Sequence, residues 1–119
     1  MPIQVANEKG KINITDEVIA VLAGSAALDC YGLVGMASRK QLKDGIAEIL
    51  GRDNLGRGVE VRHAPEGIHI DLHIIVSYGT KISEVALNVQ NRVKYVLNEV
   101  VGLKVDFVNI FVQGVRGAR

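Results

Sequence analysis

Between Gly67 and Gly102 the hydrophobic period of the chain changes from two residues to about 3.6 across a single break at Tyr78-Gly79-Thr80. Before the break, Ile68, Ile70, Leu72, Ile74, Val76 and Tyr78 share one face of a predicted strand, and His69, Asp71, His73, Ile75 and Ser77 share the other. After it, with Thr80 as the expected cap, Ile82, Val85, Ala86, Val89, Val93, Val96, Leu97 and Val100 recur every three or four residues up to Gly102. That spacing predicts a helix of roughly 20 residues and ~30 Å. Many of these positions are β-branched valines, so packing on a sheet must hold the helix more than local preference does.

The hairpin before this unit can be placed by parity. Val59 and Val61 alternate with Glu60 and Arg62, and a turn over Ala64-Pro65-Glu66-Gly67 leads into the long strand. Residues directly opposite in an antiparallel pair share a face. Pairing Val61 with Ile70 and Val59 with Leu72 therefore sets Arg62 against His69 and Glu60 against Asp71, a like-charge pair that calls for a neighbouring cation. The last predicted strand, Lys104 to Val115, puts Val108, Ile110 and Val112 on one side and Phe107, Asn109, Phe111 and Gln113 on the other. With the aliphatics facing the helices, both phenylalanines fall on the sheet face of His69, His73 and Ile75.

Upstream, Lys11 to Ile14 alternates as a short strand, Thr15 offers a helix cap, and Asp16 and Glu17 suit a first turn. Val18, Ile19, Leu22, Ala23 and Ala26 form an apolar stripe ending before Gly32, and the small residues Gly24 to Ala27 permit close approach of a neighbour. Gly32 to Met36 is expected to turn against the core. Ser38 and Gln41 have capping-box spacing before Leu42, Ile46, Ile49 and Leu50, which predicts a shorter helix. The run Gly51 to Gly58 is expected to be the most flexible stretch. These elements predict one domain over residues 1–119, a two-layer α+β sandwich. Its sheet is about four-stranded and mostly antiparallel, with two main helices on one face and an extra short helix-loop. Insertion of Lys11 to Ile14 between the third and fourth strands would give a ferredoxin-like order.

Composition narrows the functions open to such a domain. Apolar residues make up 48% of the 119 and aromatics 4%, so the core is aliphatic and few rings remain to stack on a base or ligand. A net charge of +1, with acids and bases interspersed, gives no field to gather nucleic acid or an anionic membrane. Cys30 is the only cysteine, which excludes an internal disulfide and suits a reducing cytosol. No run approaches the ~20 apolar residues of a membrane span, so membrane placement is expected to depend on a partner.

The candidate sites divide into weak chemistry and plausible surfaces. His69 and His73 are about 13 Å apart along one strand, too far to share an ion, and His63 has the opposite parity, so no metal site is expected. Gly51 to Gly58 lacks the lysine and hydroxyl of a phosphate loop. Arg39, Lys40, Arg52 and Arg57 make a modest patch suited to an anion contact. Gly32-Leu33-Val34-Gly35 fits the GxxG of a KH domain, although its centre is apolar. Cys30 has no histidine near it in sequence, and no nucleophile has an evident base. No catalytic residue, cofactor or small-molecule substrate is expected. The mixed face carrying His73, Ile75, Phe107 and Phe111 is the candidate partner-binding surface.

The ordered combination of GKINITDEVIAVLAGSAALDCYGLVGMAS, GVEV, GIHIDLHIIVSYGTKISEVALNVQNRVKYVL and VDFVNIFVQGV resembles the alkaline-shock-protein family of Gram-positive bacteria, also called the envelope stress response family. The resemblance covers nearly the whole chain. It implies a small cytoplasmic, abundant or stress-linked protein without established enzymatic activity, often acting near the membrane through a membrane-anchored partner; together with the mixed sheet face it predicts a non-enzymatic interaction protein that self-associates or docks an envelope-linked partner. Two other readings are an RNA-binding module of KH-like type and an accessory subunit of a metabolic enzyme.

Overall fold

The computed structural model describes residues 3–38 and 52–117. Strands β1 (Ile3–Asn7) and β2 (Gly10–Ile14) form a tight hairpin, and helix α1 (Asp16–Leu28) follows. Thr15 caps α1 as the sequence predicts, its Oγ1 accepting the Val18 N–H at 3.4 Å. Among the described residues β2 pairs only with β1, so the ferredoxin-like insertion does not occur. The Glu8-Lys9 turn closes the hairpin at small entropic cost, and exposed Val5 and Ile12 give β2 no buried face to carry into the main sheet.

That sheet is organised on β5 (Gly67–Ser77). One edge of β5 is shared in series by β4 (Val59–Ala64), which pairs with Gly67 to Leu72, and by β3 (Leu33–Met36), which pairs with Ile74 to Val76. Both are antiparallel. The other edge takes β6 (Phe107–Arg116) in parallel, from His69 to Ser77. The result is a four-stranded mixed sheet with α1 and α2 (Ile82–Tyr95) packed on one face, an α+β sandwich of two layers. The hairpin register is the one parity requires: Val61 opposite Ile70, Val59 opposite Leu72, Arg62 opposite His69 and Glu60 opposite Asp71.

The core side of β5 is the aliphatic row Ile70, Leu72, Ile74 and Val76, which meets Val85, Val89, Val93 and Leu97 from the long helix and Ile19 from α1. The cap of α2 is Lys81; Thr80 instead donates its hydroxyl to the Ser77 carbonyl at 2.6 Å and closes the turn between strand and helix. Beyond Tyr95 the helix widens into a π turn, Val96–Val100, which keeps Leu97 buried before Gly102 (φ +86°) reverses the chain.

Two further expectations change. Gly32 to Met36 does pack on the core, with Met36 buried in it and Leu33 against it, but as a strand and not a turn: after Gly32 (φ +89°) the chain becomes β3. The predicted flexible stretch is, from Arg52 to Gly58, a 3₁₀ helix packed on α1. Leu55 is buried in the core, and a Cβ at Gly24 would stand 3.2 Å from the Leu55 Cβ. The small residues of α1 thus provide the close approach, and Gly56, against Val21, reciprocates from the 3₁₀ side. The shorter helix predicted after Ser38 lies outside the described residues.

The starts of β5 and β6 are joined by a reciprocal pair: Ile68 N–H donates to Asp106 Oδ2 at 2.8 Å, and Asp106 N–H donates to the Ile68 carbonyl at 3.1 Å. Gly67 (φ +142°) makes room for it, because a Cβ there would overlap the Asp106 carboxylate. Gly67→Ala is expected to destabilise the protein by about 1–3 kcal/mol through backbone strain and displacement of that carboxylate, measured as a lowered urea midpoint with unchanged slope.

Candidate functional site

The parallel register of β5 and β6 builds the sheet face opposite the helices rung by rung. His69 lies beside Phe107, Asp71 beside Asn109 and His73 beside Phe111. The two outer rungs are ring stacks: His69 and Phe107 have centroids 4.5 Å apart at 22°, and His73 and Phe111 lie 5.1 Å apart at 17°. Phe107 remains 42% exposed and Phe111 43%. Two phenyl rings are therefore held in fixed orientation by imidazoles behind them while still presenting surface to solvent.

The middle rung is a closed polar network. Asn109 Nδ2 donates to Asp71 Oδ1 at 2.8 Å and to His69 Nδ1 at 3.2 Å. An amide nitrogen can only donate, so His69 Nδ1 accepts from it, and the other ring nitrogen, Nε2, lies 2.8 Å from Glu66 Oε2. From β4, Arg62 reaches Asp71 with Nε at 2.6 Å and Nη2 at 3.2 Å. Arg62 is the cation that the Glu60–Asp71 pairing calls for. Burial pushes the Asp71 carboxyl up, but the hydrogen bonds of Arg62 and Asn109 outweigh it and hold the group below the usual carboxylate range.

Of the residues expected on this face, His73 and Phe111 stack on each other, and Phe107 shares the face two rungs away against His69. Ile75 shares the face but is fully buried against Ala37, so it supports the surface from beneath instead of contributing area. Gln113 belongs to the site as well: a register shift after Ile74 places its Nε2 3.3 Å from His73 Nδ1. Parity alone places Asn109 and Arg62 on this face, yet their joint hold on Asp71 depends on β6 running parallel, which alternation cannot report.

The other candidates separate. His63 lies on the helix side, 3.1 Å from Asp16 Oδ1. Among the described residues no three His, Cys, Asp or Glu converge on a metal position. The Cys30 thiol lies 3.9 Å from the Asn88 carbonyl; burial pushes its pKa up, Arg92 lowers it and Asp29 raises it, a setting for an un-ionised thiol. Leu33, Val34 and Gly35 are strand residues of β3, so GxxG forms no clamp of the KH kind. Arg39 and Lys40 lie outside the described residues, as does the Arg52 side chain; Arg57, in the 3₁₀ helix, is exposed. No described helix is long and apolar enough to cross a membrane.

Residues 4–117 match the profile of the alkaline shock protein 23 family, described by a cell envelope-related function. The chain is 62% identical over 116 residues to the uncharacterized protein YloU of Bacillus subtilis (strain 168), spanning 98% of this chain and 97% of that one. It is 40% identical over 116 residues to the uncharacterized protein Spy1614 of Streptococcus pyogenes serotype M6, with 98% and 96% covered. With the uncharacterized B. subtilis protein YqhY, identity is 36% over 107 residues, 90% of this chain and 78% of the relative. No solved structure matches.

The Asp71 network has a pH signature. Its carboxyl is depressed in the folded state, so the native protein binds fewer protons than the unfolded chain in the acid range. The stabilisation is complete above about pH 4 and is lost as pH falls through the folded-state pKa. Asp71→Asn is expected to cost about 1–3 kcal/mol at neutral pH and to flatten the acid limb of a plot of urea midpoint against pH.

Proposed function

The chain belongs to the alkaline shock protein 23 family, with its cell envelope-related function, and on that premise we propose that it is a non-catalytic interaction protein. It works in the cytoplasm, docks a membrane-anchored protein and associates with further copies of itself. The observation that carries this reading is the pair of stacked, half-exposed rings, Phe107 on His69 and Phe111 on His73. Rings immobilised before binding lose little rotamer freedom on contact, which is how aromatic anchors come to dominate interfaces. The surrounding polar groups support the same reading. Asp71, Asn109 and Arg62 satisfy one another, which makes them a framework for the rings instead of a set poised to move protons.

A membrane-anchored protein suits a chain in which no described helix can span the bilayer. Wild-type protein is expected to sediment with native membrane vesicles and not with vesicles stripped of protein by protease. Phe107→Glu combined with Phe111→Glu should abolish that sedimentation at an unchanged far-ultraviolet circular dichroism spectrum. Equal binding to stripped vesicles, or full binding by the double variant, would overturn the reading.

A further inference from the structure

Strand β6 is an edge, and only half of it is guarded. Every fourth residue along α2 and its π turn reaches over to the chain leading into β6. Asn98 bonds both the N–H and the carbonyl of Val105, at 2.7 and 3.2 Å; Lys94 Nζ meets the Asp106 carbonyl at 3.1 Å; Gln90 Nε2 meets the Val108 carbonyl at 2.9 Å. Gln90 and Lys94, with Asn91 and the chain from Asp106 to Asn109, line a groove of about 320 Å³ between helix and strand. The next residue in the row is Ala86, which has nothing to donate. The polar ladder stops there.

The Val108 carbonyl faces away from β5, since Gln90 bonds it from the α2 side. Alternation along the strand aims the backbone of Ile110 and Val112 the same way. Among the described residues β6 pairs with β5 alone, and no side chain meets those outward N–H and C=O groups. Nor is the edge blunted by charge: FVNIFVQGVR carries a single ionisable residue, Arg116 at its end. Folded proteins guard such edges with lysines, prolines or a covering element, and here the covering element ends midway.

We propose that the open half of β6 pairs with the same half of a second copy, antiparallel about a two-fold axis at Phe111, joining two sheets into one. The inference rests on the reading of the chain as an interaction protein and specifies how it self-associates. In this register Ile110 pairs with Val112 of the second copy and Val112 with its Ile110, satisfying the outward groups on both sides and leaving the Gln90 bond to Val108 in place. Phe111 meets Phe111 at the closely spaced, non-hydrogen-bonded position. No residue from Phe107 to Gln113 is ionisable, so this register opposes no like charges. A symmetric interface needs such self-complementarity.

Sedimentation velocity is expected to show a concentration-dependent dimer. Val112→Lys, which adds a charge to the edge, and Ile110→Pro, which removes an outward N–H that β5 does not use, should each weaken it at least about tenfold. In a Cys30→Ser background, Phe111→Cys should form a covalent dimer under mild oxidation, because the paired Cα atoms fall within disulfide reach. Val34→Cys, on the exposed part of β3, should not. A wild-type monomer at high micromolar concentration overturns the pairing, as does a dimer undiminished in both edge variants or equal cross-linking at Phe111→Cys and Val34→Cys. The vesicle experiment separates the two readings: edge variants that dissociate yet still sediment with native membranes uphold partner docking, whatever the fate of the dimer.

Discussion

The rest of the molecule depends on β5 being hydrogen-bonded along both edges while its two faces do different work. A strand in that position cannot slip: a one-residue shift would send Ile70, Leu72 and Ile74 to the polar side and bring His69, Asp71 and His73 into the aliphatic core. Two antiparallel neighbours share one edge and a parallel one takes the other. The parallel pairing requires the chain to travel the length of α2 before returning. One register therefore fixes both the packing of α2 on the aliphatic row and the alignment of imidazole with phenyl on the opposite face.

Much of this was legible in the sequence, because period and parity are local properties. The strand-to-helix switch, the hairpin register and the facing of Phe107 and Phe111 all follow from residue spacing. What spacing could not report is direction and neighbourhood. Lys104 to Val115 alternates equally well in either orientation, so the parallel sense that puts Asn109 beside Asp71 stayed hidden. Ile75 has the parity of an exposed residue and is buried, since Ala37, distant in sequence, packs on it. Gly51 to Gly58 read as mobile from its glycines, whereas Gly24 and Gly56 are where α1 and the 3₁₀ helix come closest. Glycine marks both freedom and tight contact, and only the tertiary partner distinguishes them.

The site's polar groups are occupied with one another. Arg62, Asp71, Asn109, His69 and Glu66 form a chain in which each described contact has a counterpart, and among the described residues no buried side-chain polar atom lacks a partner. Reactive sites keep a group in tension, with a shifted proton affinity aimed into a cleft. Here the shift at Asp71 comes from satisfaction. What the face presents is exposed ring surface around polar groups that already satisfy one another.

The distance of 38 positions from His69 to Phe107 along the chain carries a consequence for how occupancy would be felt. No isolated fragment around either ring reproduces the surface, because the stack exists only when the whole crossover through α2 has closed. Binding at this face and global folding are thus a single linked equilibrium. Any occupant stabilises the entire molecule by mass action instead of merely ordering a loop, and slow amide hydrogens deep in β5 would register its arrival as clearly as those at the contact.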